Sequence, residues 1–173
     1  MAFAVLLAVA ACALACTVAD AAGPWRGRTV DAVTGQPIPG VVVVASWSER
    51  TPSSSQPHDA VSDLAEAVTG GDGWFVISER VSLKRRQPSG AVIEPELTMF
   101  KSGYGAWRAR QELANLEREG TVFELTPVTT REERLAALER VEIRFDPELV
   151  PLWTQAYSRE RVALGLTPYP LKP

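Results

Sequence analysis

From Pro37 the chain reads Pro-Ile-Pro-Gly-Val-Val-Val-Val-Ala-Ser-Trp, and no other stretch restricts the possible folds so strongly. Pro37 and Pro39 fix φ and withhold backbone donors, and Gly40 then releases the chain into a β-branched run. Upstream, Gly27-Arg-Thr-Val-Asp31 has strand composition, and Thr34-Gly35 supplies a residue that accepts positive φ. The pattern predicts strand, tight turn, strand. Because Val41 to Ala45 is apolar on both sides, the second strand belongs at the centre of a sheet, with Val41, Val43, Ala45 and Trp47 forming one face.

Three segments together carry a family resemblance. Gly27-Arg-Thr-Val-Asp with Thr34-Gly-Gln-Pro-Ile-Pro-Gly-Val is followed by Thr69-Gly-Gly-Asp-Gly-Trp-Phe-Val-Ile77, and later by Pro95-Glu-Leu-Thr-Met-Phe-Lys-Ser-Gly-Tyr104. Over residues 24 to 127 this resembles the carboxypeptidase regulatory-like domain of bacterial exported proteins. The resemblance implies a mainly β fold, a seven-stranded antiparallel prealbumin-like (transthyretin-like) sandwich, and a non-catalytic accessory or surface module.

The formal charge of −3 over 173 residues argues against nucleic acid as a partner, since phosphate binding needs a clustered basic face. The first 19 residues carry no charge, and Phe3 to Ala15 form an alanine-rich apolar block of the kind found in secretory signals. Export is the expectation, to the periplasm or to a lipid anchor on the envelope membrane. Both cysteines, Cys12 and Cys16, lie in this segment, so the folded body has no disulfide. Ala13-Leu14-Ala15-Cys16 resembles a lipobox, which makes Cys16 the candidate lipidation site. A cut after Ala19-Asp20-Ala21 instead yields a soluble protein, and a retained segment yields a membrane span.

The rest divides the chain into a signal segment over 1–22, a sandwich over 23–128 and a helical extension over 129–173. In the first strand Trp25, Gly27 and Thr29 share one side, with Arg26, Arg28 and Val30 on the other. Ser48 to Ser62 reads as a surface loop holding the sole histidine, His58. Leu64 to Thr69 and Trp74 to Ser78 read as a hairpin across Gly70-Gly-Asp-Gly73. Glu79 to Gly90 is an insertion bearing Lys84-Arg85-Arg86, which reads as a solvated cluster and as a possible rest on anionic lipid. Val92 to Lys101 resumes a strand, with Leu97 and Met99 on one face and Pro95 at an edge or bulge. A polar segment from Arg108 to Gly120 leads to a last strand, Thr121 to Thr126.

Thr130 with Glu133 makes a capping box, followed by Leu135, Leu138 and Val141 at helical spacing. After Asp146-Pro147, Leu149, Leu152, Trp153, Ala156 and Tyr157 mark an apolar face, and Pro151 restricts the regular helix to start near itself. Residues 167 to 173 are Pro-rich and extended in character. This extension is expected to pack on one sheet or on an envelope protein partner.

No catalytic set is legible. One histidine excludes the ligand shell of a zinc carboxypeptidase and the two-histidine iron site of intradiol dioxygenases, and leaves His58 beside Asp59 as a lone loop residue. Asp72 with Asp31 or Asp63 lacks the spacing of a calcium loop and reads as turn geometry. An isopeptide crosslink requires a lysine where the first strand has Arg26 and Arg28, and the chain's single asparagine is Asn115. The expectation is therefore no enzyme, no cofactor and no metal. Five tryptophans could stack on sugars, although such residues mainly fill sandwich cores. Tyr104 and Trp107, beside a turn, are the candidate ligand-binding pair, which gives glycan or small-ligand binding as the alternative to a structural or interaction role.

Overall fold

The computed structural model describes residues 24–50, 59–78, 96–109, 120–141 and 146–169. Its order is β1 (Trp25–Asp31), β2 (Val42–Arg50), β3 (Asp59–Val68), β4 (Trp74–Ile77), β5 (Glu96–Phe100), β6 (Trp107–Ala109) and β7 (Thr121–Leu125). Two helices follow, α1 (Arg131–Arg140) and α2 (Pro151–Ala163), with a 3-10 turn at Pro147–Leu149 between them. The chain is mainly β, in two sheets. One has the order β4-β1-β7 and the other β3-β2-β5-β6.

The valine run lacks alternation because each of its faces enters a different core. Val41, Val43, Ala45 and Trp47 join Trp25, Phe75, Ile77, Leu97, Met99, Phe123 and Leu125, so both sheets contribute to this cluster. Trp25 of one sheet meets Trp47 of the other with ring centroids 5.3 Å apart. On the opposite face of β2, Val42 and Val44 join Leu64 and Phe100 beneath Leu138, Val141, Val150, Trp153 and Tyr157. Each aliphatic side chain so buried contributes about 1.5–3 kcal/mol. The helices thus cover one face of the four-stranded sheet.

The expected hairpin across Gly70 to Gly73 is corrected, and the expected strand, tight turn, strand at the start is found but does not pair with itself. β1 and β2 belong to different sheets, as do β3 and β4. After β1 the turn closes locally: Asp31 N–H donates to the Gln36 carbonyl at 2.8 Å, and Val30 bridges Pro37. The ladder stops there because neither Pro37 nor Pro39 has an N–H to extend it. Ile38 then crosses between sheets, and two buried threonines satisfy its backbone. Thr29 Oγ1 and Thr69 Oγ1 both donate to the Ile38 carbonyl, at 3.0 and 2.7 Å, while Ile38 N–H donates to Thr29 O at 3.0 Å. A buried strap without these hydroxyls would leave an under-satisfied carbonyl, which costs about 1–3 kcal/mol.

The Gly70–Gly73 turn is held by the same region. Gly73 O accepts from Thr29 N–H at 2.9 Å, and Gly73 has φ +78° with any Cβ placed 2.5 Å from Thr29 O. Only glycine fits, and the turn delivers β4 to β1 rather than back to β3. The expectation of uniformly antiparallel pairing is also corrected: β1 runs parallel to β7, with Gly27 opposite Thr121 and Asp31 opposite Leu125. Every other ladder is antiparallel among the described residues.

β6 falls where a polar segment was expected to begin. Trp107 pairs with Met99 across the turn at Ser102-Gly103, and a three-residue strand is too short to display a period. The helices follow the sequence closely. Glu133 N–H donates to Thr130 Oγ1 at 3.2 Å, and Thr130 N–H donates to Glu133 Oε2 at 3.1 Å, which completes the capping box. Pro147 starts only a 3-10 turn, and α2 begins at Pro151. Leu149 and Leu152 are exposed rather than part of the apolar face: Leu149 lies in the 3-10 turn ahead of α2, and Leu152 sits one residue, about 100°, round the helix from the buried Trp153. Cys12, Cys16, His58, Lys84 to Arg86, Pro95 and Asn115 lie outside the described residues.

Candidate functional site

The expected pair, Tyr104 and Trp107, is half-buried and packed against the inter-sheet core. Trp107 meets Phe123 edge to face at 4.7 Å. Tyr104 O–H donates to Asp31 Oδ2 at 3.1 Å, joining the turn after β5 to the turn after β1. Asp31 Oδ1 accepts from the N–H groups of Thr34 and Val33, each at 2.9 Å. Chiefly the Thr34 N–H, opposed by partial desolvation and helped by Val33 and Tyr104, holds the Asp31 carboxyl below the usual carboxylate range. Burial, with the Asp31 acceptor second, pushes the Tyr104 phenol up. The arrangement is that of a brace between loops.

A second polar group lies under the helices. Glu160 is 3% exposed and receives Arg134 Nε and Nη2, both at 2.7 Å, together with the Ser102 hydroxyl. Burial alone would raise its carboxyl, but the Arg134 and Ser102 hydrogen bonds and the Arg134 charge bring it below the ordinary value. Both oxygens of Glu160 accept from within the fold, so this cluster joins α1, α2 and the β5–β6 turn. Of the aspartates considered for calcium, Asp31 and Asp72 serve turns, Asp72 Oδ1 accepting from Trp74 N–H at 3.1 Å, while Asp63 lies within β3. Among the described residues no three His, Cys, Asp or Glu side chains group to hold a metal ion.

The outward face of the three-stranded sheet is built differently. In β4, Phe75 and Ile77 point into the core, which leaves Trp74 (38% exposed) and Val76 (48%) outside. In β7, Phe123 and Leu125 point inward and Val122 (54% exposed) outward. β1 lies between them. Its register places Arg26 opposite Val76, and Arg28 opposite both Trp74 and Val122. One surface therefore carries two arginines, an indole and two valines. Trp25, Trp47 and Trp153 are each only 1% exposed, so Trp74 is the tryptophan most open to solvent among those described.

Two contacts order this face. Arg28 Nε donates to the Asp72 carbonyl at 2.9 Å, which fixes the guanidinium beside β4. The Trp74 ring lies against Gly120, just before β7, where a Cβ would meet its Cη2 and Cζ3 atoms. The indole thus reaches across β1 from one edge strand toward the other. Neither Arg26 nor Arg28 forms an ion pair within the described residues, in contrast to Arg134, which pairs with Glu160. Glu124 stands opposite Val30, so the face is acidic at that end and basic toward Arg26.

The alternation of Arg26 and Arg28 with Trp25 and Gly27 marked one side of β1 as outward in the sequence. Trp74-Phe-Val-Ile77 gave no such signal, because all four residues are apolar and either pair could have faced the core. Comparison with known proteins gives no family: no family model and no curated protein matches the chain.

Proposed function

We propose that this chain is a non-enzymatic module of the bacterial cell envelope, exported and either released into the periplasm or held by lipid on Cys16, and that it works by binding. The observation that carries the reading is the outward face of β4-β1-β7, where Trp74, Val76 and Val122 are exposed beside Arg26 and Arg28 on a body whose other tryptophans are packed inside. Two sheets around one core, with the glycine and proline turns quoted above, support a prealbumin-like sandwich of the carboxypeptidase regulatory-like kind. The polar clusters support the binding reading as well, because Arg134, Glu160, Tyr104 and Asp31 are engaged in holding elements together.

The glycan or small-ligand reading is favoured by one specific observation, the exposed indole of Trp74, and it moves the ligand face from Tyr104 and Trp107 to the small sheet. A role for the helices in capturing an envelope protein rests on the exposed Leu149, Leu152 and Val162. Expression of the full chain with its own N-terminus, followed by fractionation, mass spectrometry of the mature end and co-sedimentation with isolated envelopes, tests the proposal. Envelope-bound protein starting at lipidated Cys16 or at Ala22 is the expected result. Retention inside the cell with no affinity for envelopes would contradict it.

A further inference from the structure

On the reading that the chain binds through the outward face of the small sheet, we propose that the ligand is an acidic glycan, a polysaccharide carrying uronate carboxylates. A pyranose ring stacks on Trp74, and its carboxylate is taken by the guanidinium groups of Arg26 and Arg28.

The chemistry follows from what a sheet face can offer. The backbone donors and acceptors of β1 are spent in ladders to β4 and β7 on either side, so a ligand on this face meets side chains only. Strand addition by a peptide, which relies on main-chain pairing, belongs to the outer edges of β4 and β7 and does not use the face between them. An indole flanked by Val76 and Val122 presents a flat apolar strip, suited to the C–H face of a sugar ring. The strip is narrow. Three exposed apolar side chains with two cations offer too little area and charge for a stable seat on a bilayer, for which several basic residues near the surface are needed.

The charge argument selects an anion. Arg26 and Arg28 are two residues apart on one strand, so their side chains leave the same face about 7 Å apart. Neither is neutralised by a carboxylate among the described residues. Arg28 is anchored through Nε, leaving its Nη groups for a ligand, and the planar fork of arginine matches a carboxylate in two-point contact. The Trp74 indole, resting against Gly120, is already laid across β1, so little ordering is needed on binding. Glu124, near the far end, repels an anion there and directs the carboxylate toward Arg26.

The test uses the full chain with polygalacturonate and alginate as acidic probes, carboxyl-reduced polygalacturonate as the neutral counterpart, and phosphatidylglycerol vesicles as an anionic surface without sugar. Tryptophan fluorescence and calorimetry should report binding to the acidic polymers that weakens with salt and falls at least about tenfold on carboxyl reduction. Trp74→Ala and the double variant Arg26→Gln/Arg28→Gln should each weaken binding about tenfold or more. Arg26 is exposed and pairs with no described side chain, so Arg26→Gln alone leaves the melting temperature close to wild type and decides the matter if Trp74→Ala or the double variant folds poorly. Equal affinity for the reduced polymer, binding to vesicles alone, or binding insensitive to the arginine pair overturns the acidic-glycan proposal. If neither acidic polymer binds while envelopes still co-sediment with the protein, the ligand class is wrong and the binding reading stands. Loss of envelope co-sedimentation as well removes both.

Discussion

Arg134 and Glu160 form a two-point ion pair, Nε to Oε1 and Nη2 to Oε2, both at 2.7 Å, with Glu160 buried and the Arg134 side chain 27% exposed. The inequality of burial predicts unequal mutants. Arg134→Ala strands a carboxylate that cannot reach water and should cost about 3–5 kcal/mol in denaturant unfolding. Glu160→Gln leaves a neutral amide that still accepts from Ser102, and an arginine able to rehydrate, and should cost less. The pair also sets a pH dependence. A folded-state carboxyl below its unfolded value contributes stability above the unfolded value, lost as pH falls through the folded one. Unfolding free energy of the wild type should therefore decline below about pH 4, and Arg134→Ala should flatten that decline.

The first turn of α2 is capped from another element. Its own N-cap, Val150, has no side-chain acceptor, and Glu66 on β3 instead accepts from Trp153 N–H at 2.7 Å and Leu152 N–H at 3.1 Å. Glu66→Ala should lose about 0.5–2 kcal/mol, the usual worth of a cap. Burial outweighs these two donors and raises the Glu66 carboxyl, so this group favours the fold at low pH and that contribution fades as pH rises through the raised value. Glu66→Gln, which keeps one acceptor without the desolvated charge, should melt much closer to wild type at neutral pH than Glu66→Ala does.

Trp107 and Trp74 should separate stability from binding. Trp107 contacts Phe123 and the inter-sheet core, so Trp107→Ala should cost about 3 kcal/mol or more in chemical unfolding. Trp74 lies on the outside, and Trp74→Ala should cost less than half as much. A reversal of that order would place the bare face inside the molecule's working core.

Gly27 tests how tightly the sheets close. A Cβ there would sit 2.5 Å from the Phe123 ring and 2.6 Å from that of Phe75, so Gly27→Ala must push apart two packed rings. A loss of about 1–3 kcal/mol is expected from thermal melts, a large effect for one methyl group.

Local chemistry makes most of the strands, the capping box at Thr130 and the start of α2 at Pro151 readable in the sequence, but not β6 or the start of β3 at Asp59, which falls in a stretch of loop composition. Pairing partners are not readable. Whether Thr69 pairs with the strand after it or with Gly40 and Val41 is settled by hydrogen bonds between residues 28 or more apart, which no turn signature encodes. Thr29 and Thr69 looked like ordinary strand residues, and their value in holding the Ile38 crossing emerges only when the two sheets meet. Tyr104 and Trp107 were candidates because they flank a turn, but the turn folds back on the core. Trp74 carries no such mark in the sequence, because alternation in an all-apolar strand does not say which side is wet.

The claim on which the account depends is that the outward face of β4-β1-β7 is the binding surface. Amide and indole chemical shifts of the isotope-labelled full chain, followed during titration with polygalacturonate, test it directly. The account predicts shifts concentrated at Arg26, Arg28, Trp74, Val76 and Val122, with the Trp74 indole N–H moving furthest. Shifts concentrated instead around Tyr104 and Trp107, or along α1 and α2, would contradict it.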